Sequence, residues 1–124
     1  MVKFVLISAS ALGAISVILG AFGAHAFKNI LETNHTIDTF QTGVKYHIFH
    51  VLVLLFMGLL MTRFESRWFD YASVAFLMGI IVFSGSLYIL SISGTTQWGA
   101  VTPFGGLFLI VGWLLLLVGV WKAF

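Results

Sequence analysis

Apolar residues dominate four stretches of the chain, and the charged residues collect in short segments between them. The first stretch, 2–26, is interrupted only by Lys3, a few small residues and His25. The second, 43–62, carries Lys45, Tyr46, His47 and His50 in its first turns and is apolar from there to Met61. The third is 69–93, and the fourth, 103–121, opens with Thr102-Pro103, where proline's missing N–H costs least. Each approaches the ~20 residues that a helix needs to cross a hydrocarbon core of about 30 Å. The pattern predicts an all-α polytopic membrane protein, a four-transmembrane-helix bundle forming one domain over 1–124.

The polar segments refine this outline. Phe27 to Thr42 mixes Lys28, Glu32, His35 and Asp38 with Phe27, Ile30, Leu31, Ile37 and Phe40, the pattern of a short amphipathic piece lying at the interface. A break is expected near Thr33-Asn34, with Thr36 capping the next helix and Asp38 in its first turn, where the helix dipole favours an anion. Asp38, Gln41 and Lys45 share one face, so Lys45 reads as a solvated residue that snorkels outward. Residues 63–68 form a charged turn, and 94–99 an uncharged loop. Ala24-His25-Ala26 mimics the cleavage site of a signal peptide, but the apolar run before it exceeds an h-region of about 7–15 residues.

Small residues recur in register. Ala9, Gly13, Ser16 and Gly20 form a stripe on the first helix, continued by Gly23 and Ala24. Ala72, Ala75 and Gly79 do so on the third helix, and Gly105, Gly112 and Gly119 are spaced by seven on the fourth. Such stripes let backbones approach closely where lipid replaces water, so Gly13, Gly20, Gly79, Gly105, Gly112 and Gly119 are the expected packing positions, within the bundle or between subunits.

Composition agrees and narrows the function classes. Hydrophobic residues make up 60% of the chain and charged residues 8%, against about 25% charged in soluble domains. The formal net charge of +2 is scattered, with no basic patch for nucleic acid. There is no cysteine, so neither thiolate metal sites nor redox dithiols arise. Lys3, Arg63, Arg67 and Lys122 fall on the side of the termini, against Lys28 and Lys45 opposite, which places both termini in the cytoplasm by the positive-inside rule. Trp68 and Trp121 fall at one interface and Trp98 at the other, while Trp113 lies mid-span and reads as core.

Ionisable groups in hydrocarbon are expensive and mark a candidate site. His47 and His50 lie on one helical face with Gly43 and Leu54. Such a pair can hold a metal or an axial ligand, pass a proton, or bond across a helix interface as polar glue. His25 ends the first helix, Tyr46, His47 and His50 begin the second, and Ser84, Ser86 and Tyr88 lie late in the third. All fall in the outer half, with His50 and Ser86 about 10 Å deep, assuming boundaries near Gly43 and Ser93. The inner half is apolar apart from Ser8, Ser10 and Ser73. One polar pocket is expected, open outward or to the outer leaflet.

Four blocks carry a resemblance: Gly20 to Ala26, Thr42 to His50, Phe83 to Tyr88, and Thr102 to Gly106. They resemble, in order and over essentially the whole chain, the YwdK/YgdD-like family of small bacterial membrane proteins, the domain of unknown function 423 family, with small transmembrane relatives in animals. The resemblance implies a four-helix protein of the bacterial plasma membrane and supplies no catalytic residue.

Three function classes follow. The first is a non-enzymatic structural or accessory component that supports membrane or envelope integrity as a homo-oligomer or with a membrane-protein partner. The second is a binding or transport module holding a lipid, quinone or small solute around His47 and His50. The third is a histidine-based metal or haem enzyme, for which no H-E-x-x-H, G-x-S-x-G or phosphate loop is present. No catalytic residue, metal or cofactor is assigned.

Overall fold

The computed structural model describes residues 1–124, except that the Ala24 side chain, and with it that residue's expected place in the small-residue stripe, lies outside the described residues. The spanning helices are α1 (Val2–Gly23), α3 (Ile37–Met61), α4 (Arg67–Ser93) and α5 (Thr102–Ala123). A six-residue helix, α2 (Lys28–Thr33), joins the first two, and among the described residues there is no strand. The fold is thus the expected all-α membrane bundle, with four helices long and apolar enough to span a bilayer.

The break expected near Thr33-Asn34 is present, and α3 begins at Ile37 directly after Thr36, so its first six residues precede the apolar run that opens at Gly43. The connector before it closes α2 with paired bonds from Thr36 N–H to the Leu31 carbonyl and His35 N–H to the Glu32 carbonyl, with His35 at φ 54°. Thr36 holds the N-cap position but makes no side-chain cap bond there. Its hydroxyl donates instead to the Ser91 carbonyl at 2.8 Å, and Asn34 Nδ2 donates to the Ser91 and Ile92 carbonyls at 3.1 and 3.2 Å. The last carbonyls of a helix have no partner within it. Those of α4 are therefore capped by the α2–α3 connector, while Gly94 at φ 70° turns the chain away. The expected loop after it contains a 3-10 turn, Thr96–Ala100.

In lateral order, α1 rests chiefly on α3, α3 on α4, and α4 on α5. The shared apolar core is built from Val5 and Ala9, Val51, Leu54 and Met57, Phe69, Ala72 and Phe76, and Leu109 and Leu116. Glycines set how close the helices come. A Cβ at Gly112 would lie 2.7 Å from the Phe76 ring, one at Gly119 2.7 Å from Phe69, and one at Gly105 would run into the Phe83 backbone. Gly79 faces Leu109, Gly13 faces Val51 and Gly20 faces Val44. Every one of these glycines meets a helix of its own chain. Gly58, which lies outside any stripe, is just as tight against Leu6. Two helices also contain π-helical turns, Ile18–Gly23 in α1 and Ile80–Ser84 in α4.

Candidate functional site

The α3–α4 seam is closed by two crossed bonds in the half remote from the chain termini. Gly43 has no side chain, and the Tyr88 ring occupies the notch this leaves, where a Cβ would come within 2.9 Å of it. Helical side chains lean toward their helix's N-terminus, which for Tyr88 points deeper into the bundle. Its hydroxyl meets His47 Nδ1 at 2.8 Å. One turn earlier on α4, at the end of the π-helical turn, Ser84 Oγ donates to the Gly43 carbonyl at 2.8 Å. His47 is 2% exposed, and its Nε2 has no hydrogen-bond partner. At the α4–α5 junction Ser86 Oγ meets both the Phe83 carbonyl at 2.8 Å and Thr102 Oγ1 at 2.6 Å. Thr102 Oγ1 also lies 3.4 Å from the Trp98 carbonyl, so the two hydroxyls link the ends of α4 and α5 through a short chain of bonds.

His50 behaves differently although it shares the same buried face. The Trp113 indole N–H donates to His50 Nε2 at 3.2 Å. Indole can only donate, so Nε2 accepts, and the ring's one hydrogen sits on Nδ1, which lies 2.8 Å from the Tyr46 carbonyl. Both nitrogens are therefore engaged and the ring is neutral. Trp113, expected in the core, is 42% exposed; it stands on the edge of α5 and reaches across to α3. The two histidines thus take partners on different helices. Among the described residues no group of three or more His, Cys, Asp or Glu is placed to hold a metal ion.

Because α3 and α5 both pack on α4 but barely meet each other, a groove opens between them. Its upper part, about 620 Å³, is lined by Lys45, Tyr46, Phe49 and His50 of α3, Phe83 of α4, and Gly106, Leu109, Ile110 and Trp113 of α5. On the far side of the Phe49–Trp113 pair lies a second, almost wholly apolar recess of about 290 Å³ past Leu52, Val53, Phe56 and Leu116. Tyr46, Phe49, Leu52, Phe56 and Ile110 are exposed along it, so it opens sideways, toward lipid.

Of the residues expected to share one pocket, Tyr46 and His50 line this groove, while His47, Ser84, Ser86 and Tyr88 are buried or half-buried in the helix seams. His25 is exposed near the end of the first helical stretch and joins neither group. Lys45, read as a solvated residue that snorkels outward, lines the groove together with His50. Trp113 and Phe83 look like ordinary apolar positions of a span, so neither stands out in the sequence as a groove residue.

These features define a class first: a four-span membrane protein whose polar residues within the spans mostly tie helices together and in which a polar-mouthed groove opens sideways between α3 and α5. The family described as "Protein of unknown function (DUF423)" matches residues 19–106. The chain is 43% identical over 117 residues to the UPF0382 inner membrane protein YgdD of Escherichia coli K12, covering 94% of this chain and 88% of that protein. It is 35% identical over 122 residues to the UPF0382 membrane protein YwdK of Bacillus subtilis, covering 90% and 94%, and 37% identical over 117 residues to a UPF0382 membrane protein of Staphylococcus saprophyticus, covering 90% and 94%. The chain belongs to this family of membrane proteins. No solved structure matches it.

Proposed function

We propose that this protein is a non-enzymatic accessory component of the bacterial plasma membrane, with both termini cytoplasmic, that holds an amphiphilic small molecule in the α3–α5 groove. The observation that carries this reading is the groove's polarity along the helix axis. From Lys45 to Phe56 it runs eleven residues of α3, about 16 Å at 1.5 Å per residue, across the middle of that helix. Its polar side chains sit at one end and its apolar recess at the other, the polarity of an amphiphile lying in a bilayer. A small number of placed polar groups in an apolar cleft is also the usual make-up of a ligand site. The polar groups outside the groove support a non-catalytic role, since most are bonded to neighbouring helices. The orientation follows from Lys3, Arg63, Arg67 and Lys122 at the end that carries the termini. Assembly through the glycine rows gains no support, because the same chain covers them.

Gly106 offers a clean test. It lines the groove, and a Cβ there would sit 3.9 Å from Phe83 Cδ2, ordinary contact, so a larger side chain can fill the groove without entering a helix seam. Native mass spectrometry of the gently purified parent should show a bound amphiphile, and Gly106→Phe should lose it with an unchanged unfolding temperature. A parent that carries nothing, or a variant that keeps the same bound mass, would sink the reading.

A further inference from the structure

Resting on that reading, we infer that the groove's occupant is an anionic glycerophospholipid of the leaflet opposite the termini, its phosphate held by Lys45 and one acyl chain laid between α3 and α5. The charge at the mouth points to an anion. Lys45 is the one charged residue among those lining the groove, and no carboxylate lines it. The nearest acid on its own helix face, Asp38, lies seven residues earlier, about 10 Å further out, where it shares a separate surface recess with Glu32 and His35. A lysine able to snorkel toward the head groups therefore faces the groove without an acid beside it. A zwitterionic lipid would bring its own ammonium toward this cation, whereas an anionic lipid brings only charge that the lysine complements.

The hydrogen-bonding capacity beneath the mouth narrows the ligand further. His50 has given Nδ1–H to the Tyr46 carbonyl and Nε2 to Trp113, so it has neither a donor nor a lone pair for a quinone carbonyl. Below that level, on the Phe49–Trp113 pair and past it, the lining of the lower recess is hydrocarbon and aromatic ring. A ligand whose polar atoms are all at one end fits this lining. A ring with carbonyls buried halfway down does not, because those oxygens would lose water without gaining a partner. The apolar recess past Leu52 and Phe56 suits an acyl chain.

The protein in nanodiscs of equal phosphatidylglycerol and phosphatidylethanolamine, with matched acyl chains, provides the test. Released into the mass spectrometer, the parent should retain the anionic lipid about fivefold over the zwitterionic one, the ratio expected of one lysine–anion contact near a membrane surface. Lys45→Gln should retain lipid at the ratio of the nanodisc, Lys45→Arg should restore the preference, and Gly106→Phe should retain neither lipid. Equal retention of the two lipids by the parent, or the same preference in Lys45→Gln, would overturn the anionic assignment while leaving an amphiphile in the groove. Retention undiminished in Gly106→Phe would overturn both the groove and its occupant.

Discussion

Helix α3 has two flanks, and they are built on opposite plans. Toward α4 it is sealed: Gly43 takes the Tyr88 ring, the Gly43 carbonyl takes the Ser84 hydroxyl, and His47 is 2% exposed with Tyr88 on its Nδ1. Toward α5 it is open, bridged by the single Trp113–His50 bond over a groove of about 620 Å³. Two histidines three residues apart thus serve unlike ends, one inside a seam and one on a rim. The difference teaches that burial of an imidazole in a membrane helix does not mark a site by itself. What the neighbouring helix does at that level, closing in through a glycine or standing off on a third helix, decides whether the ring ties helices or borders a cavity.

The contrast is broken most severely by making the same substitution on each flank. Gly43→Leu puts a branched side chain where the Tyr88 ring and Leu87 already lie. Overpacking costs about 1–3 kcal/mol, and losing the Ser84 and Tyr88 bonds adds to it, so destabilisation of about 3 kcal/mol or more is expected. Gly106→Leu grows into the groove and should change stability by less than about 0.5 kcal/mol, as for a substitution away from packed features. Denaturation of both variants in the same bicelles, followed by circular dichroism, decides it; equal losses would erase the distinction between the seams.

A smaller effect probes the sealed flank alone. Tyr88→Phe keeps the ring in the Gly43 notch and removes the hydroxyl, which leaves His47 Nδ1 without its partner. Hydrogen bonds between membrane helices average about 0.6 kcal/mol with a maximum near 1.7, so a loss of about 1 kcal/mol is expected in the same unfolding assay. A Tyr88→Phe variant as stable as the parent would mean that shape, rather than the hydrogen bond, holds the seam.

Much of this was legible from hydropathy and small-residue spacing, because a bilayer demands long apolar helices and close backbones wherever they cross. The four spans follow from the first demand, and Gly105, Gly112 and Gly119 do lie tight against α4 of the same chain. Register did not follow. Taking the outer boundary at Gly43 set His50 level with Ser86, whereas α3 begins at Ile37 and Gly43 faces Leu87 and Tyr88. Counting antiparallel from that contact puts His50 level with about residue 81, roughly a turn and a half below Ser86. Thr36 has the residue type of a cap, yet its hydroxyl serves the end of a helix 55 positions away in sequence, which no local pattern encodes. Trp113 was read as core because a single span cannot reveal which of its faces lacks a neighbour.

The rim of the open flank responds most subtly. Trp113 is half-exposed and donates one hydrogen bond, at 3.2 Å, to His50 Nε2. Trp113→Phe keeps an aromatic ring against Phe49 and Phe76 but deletes the donor, so the stability loss should stay under about 1 kcal/mol. The chemical consequence is more telling than the energetic one. A neutral imidazole reacts with diethyl pyrocarbonate through a free lone pair, and in the parent that lone pair on His50 is occupied by the indole N–H. Peptide mapping after brief treatment should therefore show exposed His25 and His35 modified in every sample and His47 protected in every sample. His50 should be protected in the parent and modified in Trp113→Phe, because the freed Nε2 then faces the groove. Modification of His47 and His50 to the same extent in the variant would show that the two flanks of α3 are equally accessible, and the opposition between a sealed seam and an open groove would fall with it.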